Sequence, residues 1–247
     1  MSLGLEGKNV LVTGGSRGIG RGIVHALATA GANVAAVYRT RSEAVDQLER
    51  ELKEIGGKST LIQADVSDSA AVEQMFAEYA EFADTVDVLV NNAGTISHIP
   101  FQELTEAEWR RVLDTNLTAP FLVSQRAIPL IPAGGSIINI GSKLARVGLP
   151  LRTHYIASKA GMEGLNRSLA KELGPKQIRV NLVAPGVIET EAVTDPKVLA
   201  AMREKYSNLT ALGRLGQTDD VAGVVLFLAS DLSKYMTGEI VTVDGGI

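Results

Sequence analysis

The chain has 247 residues, 45% hydrophobic and 21% charged, enough apolar content for one sizeable core and a single α/β domain over residues 1–247. A net charge of −4 and the lack of any basic tract exclude an electrostatic case for nucleic acid or an anionic membrane surface as partner. With no cysteine, disulfide and thiolate chemistry are excluded; no 18-residue apolar span or signal-peptide core occurs, and a cytoplasmic protein is expected.

In chain order, short runs rich in β-branched residues predict seven strands, at 10–13, 34–38, 59–63, 86–91, 136–140, 179–183 and 240–243. Amphipathic stretches near 22–30, 43–55, 69–83, 106–130, 156–173 and 218–229 alternate with them as helices, with Ser42, Asp68, Thr105 and Thr218 as N-cap candidates. Such alternation predicts a Rossmann-like, doubly wound sheet of seven parallel strands with helices on both faces, and ligands at the carboxyl ends of the strands. The segment 185–216 is expected to be irregular, and a loop of that length in a compact domain is usually functional.

Directly after the first strand comes Thr13-Gly14-Gly15-Ser16-Arg17-Gly18-Ile19-Gly20, and directly after that a helical pattern. In this setting a glycine-rich turn points to a dinucleotide: missing side chains let backbone approach a pyrophosphate, and the helix N-terminus faces it. The spacing, Gly-x-x-x-Gly-x-Gly, departs from the Gly-x-Gly-x-x-Gly fingerprint. Asp65 follows the third strand, Asn91-Asn92-Ala93-Gly94 ends the fourth and Pro185-Gly186 follows the sixth, so these residues outline one crevice with the glycine turn. Asn116 falls inside a helical pattern, where Asn is a poor helix former.

Tyr155 and Lys159 lie one helical turn apart, and Ser142 lies upstream of them. A phenol with an ordinary pKa of about 10 exchanges protons near neutrality only if its phenolate is stabilised, which an ammonium on the same helix face can do. A serine hydroxyl from another element can hydrogen-bond the oxygen that gains or loses the proton. Tyr155 is therefore the candidate general acid or base. His154 should point about 100° away from Tyr155 on the helix and is read as structural or substrate-facing. No metal site is expected.

These motifs, in this order, resemble those of the short-chain dehydrogenase/reductase family over the whole chain: Thr13-Gly14-x-x-x-Gly18-x-Gly20, Asn91-Asn92-Ala93-Gly94, Asn116, Ser142, Tyr155-x-x-x-Lys159 and Pro185-Gly186. The resemblance implies that Tyr155 is the catalytic acid, that Ser142 polarises a carbonyl, and that Lys159 lowers the Tyr155 pKa and holds the nicotinamide ribose. It also implies that Asn116 anchors a proton-relay water. For the cofactor it implies contacts from Gly14, Ser16, Arg17, Gly18, Ile19, Gly20, Asn92, Ala93, Gly94, Pro185 and Gly186. Asp65 and Val66 would meet the adenine, Asn91 the adjoining ribose, and Ile188 and Thr190 the carboxamide. All four catalytic positions are kept, which favours an enzyme over a non-catalytic NADP-binding sensor.

An NAD-specific fold usually has a carboxylate about 20 residues past the glycine turn. This chain has Arg39 and Arg41 there, with Arg17 in the turn, so NADP(H) is expected. Asp114-x-Asn116-Leu117-Thr118 and Val180-Asn181-Leu182-Val183-Ala184-Pro185-Gly186 resemble the 3-oxoacyl-[acyl-carrier-protein] reductases, implying a ketone or acyl thioester substrate, an acyl carrier protein as possible partner, and a homotetramer. Such reductases often have a basic stretch before the fifth strand; here stands Pro129-Leu130-Ile131-Pro132-Ala133-Gly134-Gly135, with Arg126 and Lys171 the remaining docking cations. A tailoring ketoreductase or sugar dehydrogenase is the alternative. Residues 143–153 and 191–214 are expected to line the substrate pocket.

Overall fold

The β-branched runs are strands because they are buried on both sides, and only a sheet covered by helices on both faces meets that pattern. The computed structural model describes residues 3–247. Strands β1 (Asn9–Thr13), β2 (Asn33–Tyr38), β3 (Ser59–Gln63), β4 (Val88–Asn91), β5 (Ser136–Ile140), β6 (Arg179–Pro185) and β7 (Ile240–Val243) form one parallel sheet in the order β3-β2-β1-β4-β5-β6-β7. The order reverses between β1 and β4, and a crevice opens there at the carboxyl ends.

Alternate strand residues face two layers. Leu11, Ala35, Ile62, Leu89, Ile137 and Val180 pack with Met75, Phe76 and Tyr79 of α3 (Ser69–Phe82). Val10, Val12, Val34, Val90 and Ile138 pack with Ile23 and Leu27 of α1 (Gly18–Thr29), Leu48 of α2 (Glu43–Ile55) and Val221 and Val225 of α9 (Thr218–Ala229). Each fully buried aliphatic side chain here stabilises the fold enough that truncation to alanine costs about 2–5 kcal/mol. These layers make the strand ends a rigid platform for the loops.

The expected long helix at 106–130 is interrupted. It divides into α4 (Glu106–Leu113), a π-turn over Asp114–Thr118 and α5 (Ala119–Ala127), with Ala119 N–H reaching back to the Asp114 carbonyl. Pro120 is the local cause, since it has no N–H to offer the carbonyl of Asn116 four residues earlier. Asp68 and Thr105 cap their helices through Ala70 N and Glu108 N, whereas Ser42 makes no side-chain cap bond. Thr218 is the first residue of α9 and not its cap; Gln217 precedes it, its N–H bonded to Asp220 Oδ2 at 2.7 Å. The segment 185–216 is not wholly irregular either: α8 (Pro196–Ser207) lies within it, capped by Asp195. Helices α6 (Leu144–Val147) and α7 (Thr153–Leu173) complete the set used below. Among the described residues, no helix is long and apolar enough to cross a membrane, and no cluster of His, Asp and Glu could hold a metal ion.

Candidate active site

The glycine turn is locked to the end of β4 by Thr13. Its Oγ1 accepts from the N–H groups of Asn92 (3.0 Å) and Ala93 (3.1 Å), and Asn92 Nδ2 donates to the carbonyls of Thr13 (3.1 Å) and Gly14 (2.9 Å). Backbone meets backbone so closely that side chains are excluded: a Cβ on Gly14, at φ +64°, would lie 2.8 Å from Ala93 Cα, and one on Gly20 would collide with the Gly14 carbonyl and the Asn92 amide. Gly18, at φ +54°, donates its N–H to Glu191 Oε1 at 2.6 Å, so a carboxylate rests on the N-terminus of α1. The turn thus already holds an anion, which is the chemistry a pyrophosphate needs. Ser16 and Ile19 lie in the same turn, and Thr190 stands over Gly18, 3.5 Å from where a Cβ would be.

Toward β2 and β3 the cations divide. Arg41 is engaged by Asp46 (2.6 Å) and Glu49 (2.7 Å), so its guanidinium is satisfied within the protein. Arg17 and Arg39 are exposed and have no side-chain partner among the described residues. Asp65 makes a tight turn, accepting from Ser67 N (3.0 Å) and Oγ (2.6 Å), and Val66 beside it is buried. The Asn91 side chain points inward, donating to Ser124 Oγ and Asn139 Oδ1, both at 3.0 Å. The expectation that Asn91 meets a ribose thus finds its amide in the interior, because β4 places alternate residues on opposite faces. Asn92 and Ala93 instead meet the glycine turn through Thr13 and Gly14, and Gly94 lies near Asn116 and Lys159.

On the other side of the switch point, Ser142 follows β5 and Tyr155 and Lys159 rise on α7. Lys159 is 4% exposed; its Nζ donates to the Ile140 carbonyl at 2.7 Å and lies 5.9 Å from the Tyr155 ring centre. Burial lowers its pKa to about 8. Burial pushes the Tyr155 phenol up, while hydrogen bonding by Ser142 and the charge of Arg152 pull it down, so at neutral pH the phenol keeps its proton. Asn116 is fully buried: Oδ1 accepts from Thr95 N (2.8 Å), and Nδ2 donates to the Thr95 carbonyl (2.9 Å) and Ser158 Oγ (3.1 Å). Ser158 in turn donates to the Tyr155 carbonyl at 2.6 Å, so the π-turn and α7 are fixed to each other. A Cβ on Gly94 would sit 3.4 Å from Asn116 Oδ1 and 3.7 Å from Lys159 Nζ, which brings the β4 loop, the π-turn and α7 to one point.

The covering segment begins at Pro185 and Gly186, where Gly186 runs against Asp244, 2.8 Å from its Cα to a would-be Cβ. Ile188 bridges to Gly216 and leads to Thr190. Of the expected pocket lining, Arg146 is paired with Glu163 and Arg203 with Glu189. His154 is fully buried and meets Ser97 Oγ at 2.7 Å, a structural position rather than one facing substrate. Burial lowers its pKa, so the ring is held neutral. Sequence reasoning did not find Thr13 as the clamp, nor Thr95, Ser158, Glu191 or His98. Their only sequence signal is position beside a motif, and each acts through a contact between segments distant in the chain.

A family model described as "Enoyl-(Acyl carrier protein) reductase" matches residues 14–247. The chain is 42% identical to the 3-oxoacyl-[acyl-carrier-protein] reductase FabG of Staphylococcus aureus over 245 residues, covering 97% of this chain and 98% of that protein. Among solved structures, a dehydrogenase/reductase from Sinorhizobium meliloti 1021 superposes with a TM-score of 0.92 at 40% identity, covering 99% of this chain and 96% of that one. The angucycline C-6 ketoreductase LanV with bound NADP superposes with a TM-score of 0.90 at 35% identity, covering 98% and 96%. Fold, motif order and full-length similarity agree, and the chain belongs to the short-chain dehydrogenase/reductase family of oxidoreductases.

Proposed function

We propose that the protein is an NADPH-dependent reductase that converts a ketone to a secondary alcohol, with Tyr155 as proton donor. The observation that carries this reading is the Ser142, Tyr155 and Lys159 arrangement beside the glycine turn. A phenol raised by burial and addressed by a serine hydroxyl is a neutral acid at pH 7, suited to protonate an oxygen as negative charge develops on it. Ser142 would hydrogen-bond the same oxygen, and Asn116, with its amide fully engaged, would act through the backbone of the π-turn, whose carbonyl Pro120 cannot serve.

The chain's residues fit a dinucleotide. The glycine turn holds a carboxylate at Gly18 N–H, the close approaches at Gly14 and Gly20 leave no space for side chains, and Arg17 and Arg39 offer unpaired guanidiniums for a 2′-phosphate. LanV, structurally similar throughout, has NADP bound. When bound, NADPH would supply a hydride to the ketone carbon; Gly14, Ser16, Arg17, Gly18, Ile19 and Gly20 would hold its pyrophosphate side, Arg39, Asp65 and Val66 its adenosine, Lys159, Ile188 and Thr190 its nicotinamide end, and Asn92, Ala93, Gly94, Pro185 and Gly186 would complete the crevice. Arg39→Asp is expected to lower kcat/KM for NADPH by about tenfold to a hundredfold, the worth of a charge-assisted phosphate contact, while leaving NADH nearly unchanged. Initial rates with both cofactors check this, and an equal loss with both would remove Arg39 from the phosphate site.

The relative from Staphylococcus aureus makes a 3-oxoacyl thioester the first substrate to test. A free ketone is the second reading: Arg126, one of two docking cations left by the missing basic stretch, is paired with Glu73, so a surface for an acidic carrier protein is poorly supported. NADPH oxidation with a 3-oxobutanoyl thioester and with neutral ketones separates the two. A cytoplasmic homotetramer is the accompanying proposal, with exposed Phe101 and Phe121 as interface candidates. A single-chain mass by light scattering would count against it.

The buried Lys159 gives the pH dependence its sign. Below about 8 it is an ammonium, a positive charge that would favour negative charge developing on the substrate oxygen; above about 8 that charge is lost. The kcat/KM for reduction is expected to fall with one-proton steepness, about tenfold per pH unit, on the alkaline side. A flat profile from pH 7 to pH 10 would remove Lys159 from the proton-transfer step.

A further inference from the structure

Arg152 stands where α7 begins, three residues before Tyr155, and its charge acts on the Tyr155 phenol. Its Nη2 meets His98 Nε2 at 2.6 Å, with His98 contributed by the loop that follows β4. Burial, reinforced by the neighbouring Arg152 charge, holds His98 below the ordinary imidazole value, so the ring is neutral and accepts this bond. The two loops carrying the pair are tied by Ile99 N–H to the Leu151 carbonyl at 2.9 Å. Leu151 adopts φ +67°, a left-handed conformation that a leucine keeps only where its surroundings hold it, and such strain gathers at ligand sites.

Several other cations along this edge of the sheet have a carboxylate: Lys143 has Asp244, Arg146 has Glu163, Arg203 has Glu189 and Arg214 has Asp220. Arg152 has none among the described residues, and its Nε is buried without a hydrogen-bond partner. A half-buried guanidinium beside the reacting group with no carboxylate to balance its charge is unfavourable until an anion reaches its outer N–H groups. On the same two loops Ile96, Leu149 and Leu151 keep large exposed apolar surfaces.

We propose that Arg152, oriented by His98, is the subsite for a carboxylate on the ketone substrate, so that the substrate class is an oxo acid with an apolar body. The proposal rests on the ketone-reductase reading and narrows it. A guanidinium fork pairs a carboxylate through two parallel hydrogen bonds, and with the acid so fixed the substrate's ketone is oriented toward Tyr155. A carrier-bound oxoacyl thioester has no charge so close to its ketone and would leave the Arg152 fork unserved.

The test compares short 2-, 3- and 4-oxo acids, each against its methyl ester, on the wild-type, Arg152→Gln and Arg152→Lys proteins. The wild type is expected to favour at least one acid over its ester by about tenfold or more in kcat/KM; Arg152→Gln removes this acid-over-ester preference, a ratio that a general effect of the lost charge on Tyr155 leaves unchanged, and Arg152→Lys keeps part of it. Calorimetric titration of the same acids with NADP⁺ present reads the subsite without turnover, and Arg152→Gln should weaken binding by about tenfold or more. Acids and esters treated alike by the wild type, or acid binding unchanged by Arg152→Gln, overturns the proposal even if the esters are reduced. Arg152-dependent acid binding without reduction of any ketone upholds the subsite and overturns the reductase reading instead.

Discussion

Tyr155→Phe is expected to lower the rate of NADPH-dependent ketone reduction by about 10²–10⁴-fold, the range that a positioned general acid supplies, while NADPH affinity stays within about threefold. The ring remains, so the packing of α7 and the approach of Lys159 Nζ to the ring are kept; only the phenol oxygen addressed by Ser142 is lost. Steady-state rates and NADPH fluorescence titration read the two effects separately. A parallel collapse of NADPH binding would mean that Tyr155 serves the cofactor more than the proton.

Lys159→Met is expected to abolish most of the activity and yet to raise thermal stability. The ammonium is 4% exposed, with its pKa lowered from 10.5 to about 8. A folded-state pKa below the unfolded one means that folding expels a proton, so stability rises as pH increases from about 8 toward 10.5, and at pH 7 the charged group costs about 3 kcal/mol. The bond from the charged Nζ to the Ile140 carbonyl offsets about 1.5–3 kcal/mol of this, leaving a net gain of at most about 2 kcal/mol for the apolar replacement. For a domain of this size that raises Tm by at most about 4–8 °C. Calorimetry at pH 7 checks the sign; a lower Tm would show that the ammonium is structural. A charge kept in the core at a cost to stability is what a functional group looks like.

Most of the frame was legible because it rests on local periodicity. The seven strands and the glycine turn come from runs of β-branched residues and from spacing, which the chain carries without reference to its fold. The break in the helix at Asp114–Thr118 was visible only as an anomaly at Asn116. The cause, Pro120, is in the sequence, but the outcome depends on Thr95 and Ser158 reaching Asn116 from other elements. Arg39 and Arg41 show the limit most clearly. They are the same residue type two positions apart, and nothing in the local sequence separates them; the first turns of α2 place Asp46 and Glu49 against Arg41 and leave Arg39 unpaired.

Fold class, motif order and the side chains capable of acid chemistry follow from the order of residues, because periodicity, glycine spacing and side-chain type are properties of the chain alone. Which charges are available is settled by folding. Asn91 turned inward, Arg41 and Arg126 met carboxylates, His154 was sealed beside Ser97, and Arg152 was left with a neutral histidine. Whether a charge is paired or desolvated depends on neighbours brought from far along the chain, and those neighbours exist only once the sheet and its loops have come together.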